Sequence, residues 1–153
     1  MRRWASRLLR SPWAQDPELT PVDGSEFVLR TIPNLPNFIR PDLPQPVTRV
    51  AFGPNKNDTD GLSVFREKFI SPEDLARVSR QKGNCYVVRL RASDVFALGL
   101  TIKPDRSDAI HGHCLIREIT YAERKVEAVK TAVLRLAQLA GSGIAFRPEL
   151  PKS

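Results

Sequence analysis

These 153 residues read as an α+β domain: a mixed or mostly antiparallel sheet carrying a capped middle helix and a long C-terminal helix. Short β-rich runs recur between clusters of Gly, Pro, Asn and Asp. Ser71-Pro72-Glu73-Asp74 has the form of a helix start. Ala122, Val126, Val129, Val133, Leu136 and Ala140 repeat at alternating spacings of four and three, which draws one apolar stripe down a helix. A chain of about this length buries roughly two-thirds of its unfolded surface, so one core suffices without disulfides or metal.

Phe27 to Ile32 is rich in β-formers between Gly24 and Pro33 and reads as the first strand; residues 1–22 then form a basic, flexible arm and 23–153 the domain. Residues 33–46 carry Pro33, Pro36, Pro41, Pro44 and Pro46, each removing an amide donor, and read as an extended strap. Its apolar Leu35, Phe38, Ile39 and Leu43 favour packing onto the fold over service as a ligand for an aromatic groove. Val47 to Phe52 and Leu62 to Phe65 are expected as strands of a hairpin around the turn-rich Gly53–Gly61 loop. Ser71 caps, Pro72 opens and Glu73 and Asp74 meet the dipole of a helix expected to run to about Gln81.

Gly83-Asn84 ends that helix. Tyr86, Val88, Leu90 and Ala92 then alternate with Val87, Arg89 and Arg91, the period of a half-buried strand. Ser93 is expected to cap a short helix through Leu98, Leu100 to Ile102 resumes an extended run that Pro104 stops, and His113 to Ile119 reads as another strand. The final helix spans 122–140 and Gly141 can end it. Its stripe suits cover for the sheet better than a coiled-coil seam, because it makes fewer than three heptads.

Charge is uneven. Of the net +7, Arg2, Arg3, Arg7 and Arg10 supply +4 within the first fifteen residues, which contain no acid. Such an arm suits phosphates, a membrane surface, organelle targeting or a solvated end. If helices cover one sheet face only, Arg89, Arg91 and Arg117 would share the other and form an anionic partner's landing site. Two cysteines are too few for a secreted scaffold and fit a cytoplasmic, reducing setting; no apolar run reaches the roughly 18 residues of a transmembrane segment.

Candidate chemistry centres on few residues. Asn55, Asn57, Asp58 and Asp60 share one loop, as calcium ligands do, but the loop lacks an EF-hand's terminal glutamate and reads as turn chemistry. Lys56 stands outside any Gly-x-x-x-x-Gly-Lys-Ser/Thr phosphate loop. His111 and His113 lie two apart, on one face if the strand includes both. Zinc there would need a third ligand from Asp105, Asp108 or Cys85, so no metal is expected and the cofactor is left open.

Phe52-x-Pro54 to Asp58, Leu62-Ser63-Val64 and His113-x-x-Ile116 together resemble a pattern in small uncharacterised bacterial proteins, over about residues 49–116. The resemblance implies that Asp58 or Asp60, Ser63 and His113 share a surface. The order Arg30, Ser63, Glu118 is loosely similar to ADP-ribosyltransferase-like folds, which use an arginine, a serine and a later glutamate.

Three functions follow as expectations. The first is a module binding nucleic acid or a phosphorylated ligand through Arg2, Arg3, Arg7, Arg10, Arg89, Arg91 and Arg117. The second is a small transferase or hydrolase for a nucleotide-like substrate, with His113 as acid-base, Ser63 and Asp60 as positioning groups and Arg30 as anion clamp. The third is an adaptor offering its C-terminal helix to a protein partner.

Overall fold

The computed structural model describes residues 16–149. Six strands form one sheet: β1 (Phe27–Pro33), β2 (Leu62–Arg66), β3 (Cys85–Arg91), β4 (Ile102–Pro104), β5 (His113–Ile116) and β6 (Ile144–Phe146). Their order is β4-β5-β2-β1-β3-β6 and every pairing is antiparallel, which makes this an α+β fold. Helices α1 (Pro72–Val78), α2 (Ala92–Ala97) and α3 (Glu127–Ala140) complete it.

Alternation along the strands sends side chains to two faces, and a helix covers each, correcting the expectation of a single covered face. On one face, Val28, Ile32, Leu62, Val64, Val88, Leu90, Cys114 and Ile116 join Val129, Val133, Leu136 and Ala140 of α3 in the main core. Fully buried Leu136 alone contributes about 2 kcal/mol by leaving water. On the other face, Leu29, Phe65, Cys85 and Val87 pack with Leu75 and Ala76 of α1. α1 starts as its sequence implies, with Ser71 Oγ accepting the Asp74 amide, but it stops at Val78 rather than Gln81. The Gly83 amide turns back to the Ala76 carbonyl there, with Gly83 at φ 91°.

Other element boundaries differ for local reasons. Residues 47–52 are not a strand: Val47 makes one isolated bridge to Ile39, and Arg49–Phe52 form a 3-10 turn that buries Ala51 and Phe52. α2 begins at Ala92 without Ser93 as its cap, because the first amides already have acceptors: Ala92 donates to the Glu26 carbonyl and Ser93 to that of Gly24. α3 begins at Glu127, five residues late, since the Tyr121 amide is held by the Asp58 carbonyl in a turned segment. β6 was not foreseen. It is short and half-buried, and the chain enters it through Gly143, where a Cβ would lie 2.3 Å from the Arg89 carbonyl oxygen. In the strap, Ile39 is buried and Phe38 packs on the core, whereas Leu35 and Leu43 stay exposed.

Residues 16–22, assigned to the arm by composition, are anchored. Fully buried Arg66 donates to the Thr20 and Pro21 carbonyls and grips Glu26 through Nε at 2.8 Å and Nη2 at 2.6 Å. Among the described residues no helix is long and apolar enough to cross a membrane.

Candidate functional site

β1 and β2 are in register only at Val28↔Arg66 and Leu29↔Phe65; beyond that they part, while β1 stays paired with β3 along its length. The opening, together with the C-terminal end of α1 and the 53–58 and 108–110 segments, forms a cleft of about 610 Å³. Arg30, Ser63, Asp58, Arg80 and Asp108 are among its lining residues.

Ser63 and His113 lie on neighbouring antiparallel strands, β2 and β5, displaced diagonally so that both side chains leave the same face. Ser63 Oγ is 2.9 Å from Nε2 of His113, and Nδ1 of the same ring is 2.9 Å from Oδ2 of Asp105. Nδ1 meets hydrogen-bond geometry with the Asp105 backbone carbonyl at 3.3 Å while the carboxylate stands at ion-pair distance; both only accept, so Nδ1 carries the proton, Nε2 is the acceptor, and the Ser63 hydroxyl donates to it. The imidazole is buried, tilted against the Phe65 ring at 5.2 Å between centroids. Asp105 follows β4, where its amide donates to the His113 carbonyl, and its carboxylate also accepts from Ser107 Oγ. That serine bond, with the neighbouring imidazole, holds the Asp105 carboxyl below its ordinary value despite partial burial. The result is a hydroxyl–imidazole hydrogen bond backed by a carboxylate at ion-pair distance.

Arg30 stands beside it. Its Nε donates to the Ala51 carbonyl at 2.8 Å and its Nη1 to the Ser63 carbonyl at 2.9 Å, with the guanidinium over Phe52. Burial pushes its pKa down to about 10, partly offset by the charge of Asp58.

The other sequence candidates fall elsewhere. Asp60 is exposed and lies outside the cleft lining, where Asp58 stands instead, so the structure does not give Asp60 the positioning role expected of it. Glu118 accepts the amide and hydroxyl of Thr101 and is not in the cleft lining, which separates it from Arg30 and Ser63. His111 and His113 do not share a face. Gly112, at φ 77°, turns the chain between them, and His111 pairs with Glu18 at 2.9 Å. Among the described residues no group of three His, Cys, Asp or Glu side chains is arranged to hold a metal. Cys85 and Cys114 are buried free thiols, and burial pushes Cys114 up to about 12.

The arginines form no common face. Arg89 is occupied by Glu67 in a two-pronged ion pair at 2.6 Å, Arg91 lies over Phe27, and Arg117 follows β5, which β2 and β1 separate from β3. Arg2, Arg3, Arg7 and Arg10 lie outside the described residues.

Asp105 is the site residue whose role the sequence hid. It invited notice only as a possible metal ligand, and its link to His113 depends on β4 and β5 pairing. A carboxylate-rich loop directly before a histidine-led strand was the available signal.

Comparison with protein-family models, with curated proteins and with solved structures finds no match to this chain.

Proposed function

We propose that this protein is a small serine-dependent hydrolase or acyl transferase, with Ser63 as nucleophile, His113 as general base and then acid, and Asp105 holding the imidazole in its reactive tautomer. The observation that carries this is the 2.9 Å Ser63–His113 hydrogen bond, with the Asp105 carboxylate at ion-pair distance, 2.9 Å, from the other ring nitrogen and Ser63 lining a cleft large enough for a small substrate. A nucleophile within reach of a base that a third group orients is the arrangement that covalent catalysis by serine requires.

In this mechanism Ser63 Oγ attacks the carbonyl carbon of an ester or thioester while its proton passes to Nε2 of His113. The imidazolium, paired with Asp105, gives that proton to the departing oxygen or sulfur, leaving an acyl-serine. Water, or an acceptor alcohol in a transfer, then attacks the acyl carbon with His113 again taking the proton, and Ser63 is regenerated.

The placement of the arginines favours this function over a phosphate-backbone module: Arg89 is already neutralised and Arg117 lies two strands from β3. Fluorophosphonate labelling followed by peptide mass spectrometry tests the assignment. Adduct on Ser63, abolished in Ser63→Ala and strongly slowed in His113→Ala, is expected; a folded wild-type protein that stays unlabelled and shows no burst with 4-nitrophenyl acetate overturns it.

A further inference from the structure

The cleft holds a cation that the serine chemistry does not use. Arg30 makes its two hydrogen bonds to backbone carbonyls, those of Ala51 and Ser63. A guanidinium has five N–H donors, so Nη2 and the second Nη1 hydrogen have no protein acceptor among the described residues. Among those residues no buried side-chain nitrogen is left without a partner, so Nη2, which has none, is reachable by solvent, and Arg30 lines the cleft.

The contrast with other arginines is sharp. Arg66 and Arg89 each close their fork on a glutamate. Arg30 has no carboxylate within 4.0 Å among the described residues. Asp58 is the acid whose charge it feels, from beyond ion-pair distance, while Arg80 adds a second cation to the lining and Asp108 a second acid. An enclosed guanidinium with free, fork-shaped donors is suited to two-point recognition of a planar or tetrahedral anion.

We infer that Arg30 is an anion subsite, and that the substrates carry a carboxylate or phosphate group a few bonds from the acyl carbon. Arg30 and Ser63 line the same cleft and Nη1 is bonded to the Ser63 carbonyl, which puts a bound anion near the nucleophile's own residue. The charge of Asp58, felt from beyond ion-pair distance, opposes an incoming anion and so tunes the affinity of the subsite. The substrate class rests on Ser63 being the nucleophile; the subsite itself does not.

Two measurements separate the claims. The first is binding of inorganic phosphate to the full chain, followed by NMR titration. Binding that weakens about tenfold in Arg30→Gln and tightens several-fold in Asp58→Asn is expected; binding that neither change moves is surface adsorption and overturns the subsite. Asp58→Asn keeps an oxygen for the Asn55 amide, so it guards against a folding failure of the arginine variant.

The second measurement compares Ser63 acylation by 4-nitrophenyl acetate and by the mono-4-nitrophenyl ester of succinate. A preference of about tenfold for the anionic ester, collapsing in Arg30→Gln, is expected and assigns a carboxylate. Acylation without preference, from a protein that does not bind phosphate, overturns the subsite and leaves the nucleophile standing. Phosphate binding that depends on Arg30, with neither ester acylating Ser63, leaves the subsite standing and removes the nucleophile.

Discussion

Nε2 of His113 sits 2.9 Å from the Ser63 hydroxyl across a β2–β5 boundary that the sequence crosses only after fifty residues. Because Nδ1 is committed to Asp105, that ring nitrogen can only accept, so the contact is poised to receive the serine proton. Asp105→Asn removes the negative charge that stabilises the imidazolium formed when His113 takes the serine proton. The variant is expected to fold and to lose about 10³- to 10⁴-fold in the rate of Ser63 labelling. Unchanged labelling with an unchanged melting curve would make Asp105 a structural partner only.

What the sequence disclosed and what it hid divide along sequence distance. The apolar stripe Val129, Val133, Leu136, Ala140 and the Ser71-Pro72 start are local patterns, and both helices form on them, although α3 begins five residues late and α1 ends at Val78. Residues 47–52 carry β-formers, yet they turn, because Phe52 is buried in the main core and the Ala51 carbonyl takes the Arg30 guanidinium. No local rule encodes that contact. Ser63, His113 and Arg30 were visible as residue types with chemistry, whereas Asp105 and Asp58 acquire their places only through the β4–β5 pairing and the divergence of β1 from β2.

Glu18 is expected to position the loop between β4 and β5. Its carboxylate accepts the Gly112 amide at 2.7 Å and pairs with Arg106 and His111, tying the segment before β1 to the stretch between Asp105 and His113. Burial alone would raise its pKa, but the Gly112 amide, His111 and Arg106 outweigh that and lower it. Glu18→Ala should slow Ser63 labelling about tenfold while leaving the fold intact, a loss of alignment rather than of a reacting group. An unaltered rate would confine Glu18 to anchoring the segment it starts.

Acid should weaken the fold through a defined set of carboxyls. Burial pushes Glu26 up, but its bonds from Arg66 and the Asp23 amide bring it below the ordinary 4.5, and Asp105 and Glu18 are lowered as well. Each group therefore binds its proton less readily folded than unfolded. Its contribution is fully present above the unfolded value and drains away as pH falls through the folded one. Melting temperature is expected to be flat above about pH 5 and to fall steeply below it. Glu26→Gln should flatten part of that decline while lowering stability at neutral pH by about 3 kcal/mol, because fully buried Arg66 loses its counter-charge. An acid limb as steep as the wild type's would show that Glu26 does not carry it.

Val133 tests whether α3 belongs to the core or to a partner. It is 7% exposed and lies in the main cluster with Val88, Ile116 and Phe52, whereas Leu134, its neighbour in sequence, is 46% exposed. An aspartate at 133 places an unpaired charge among apolar atoms, at a cost of about 4 kcal/mol or more; the same residue at 134 meets water. Val133→Asp should therefore abolish the cooperative urea transition, while Leu134→Asp shifts it little. Should Val133→Asp melt like the wild type, the stripe is not what holds α3 to the sheet, and the helix becomes free to serve as an interface.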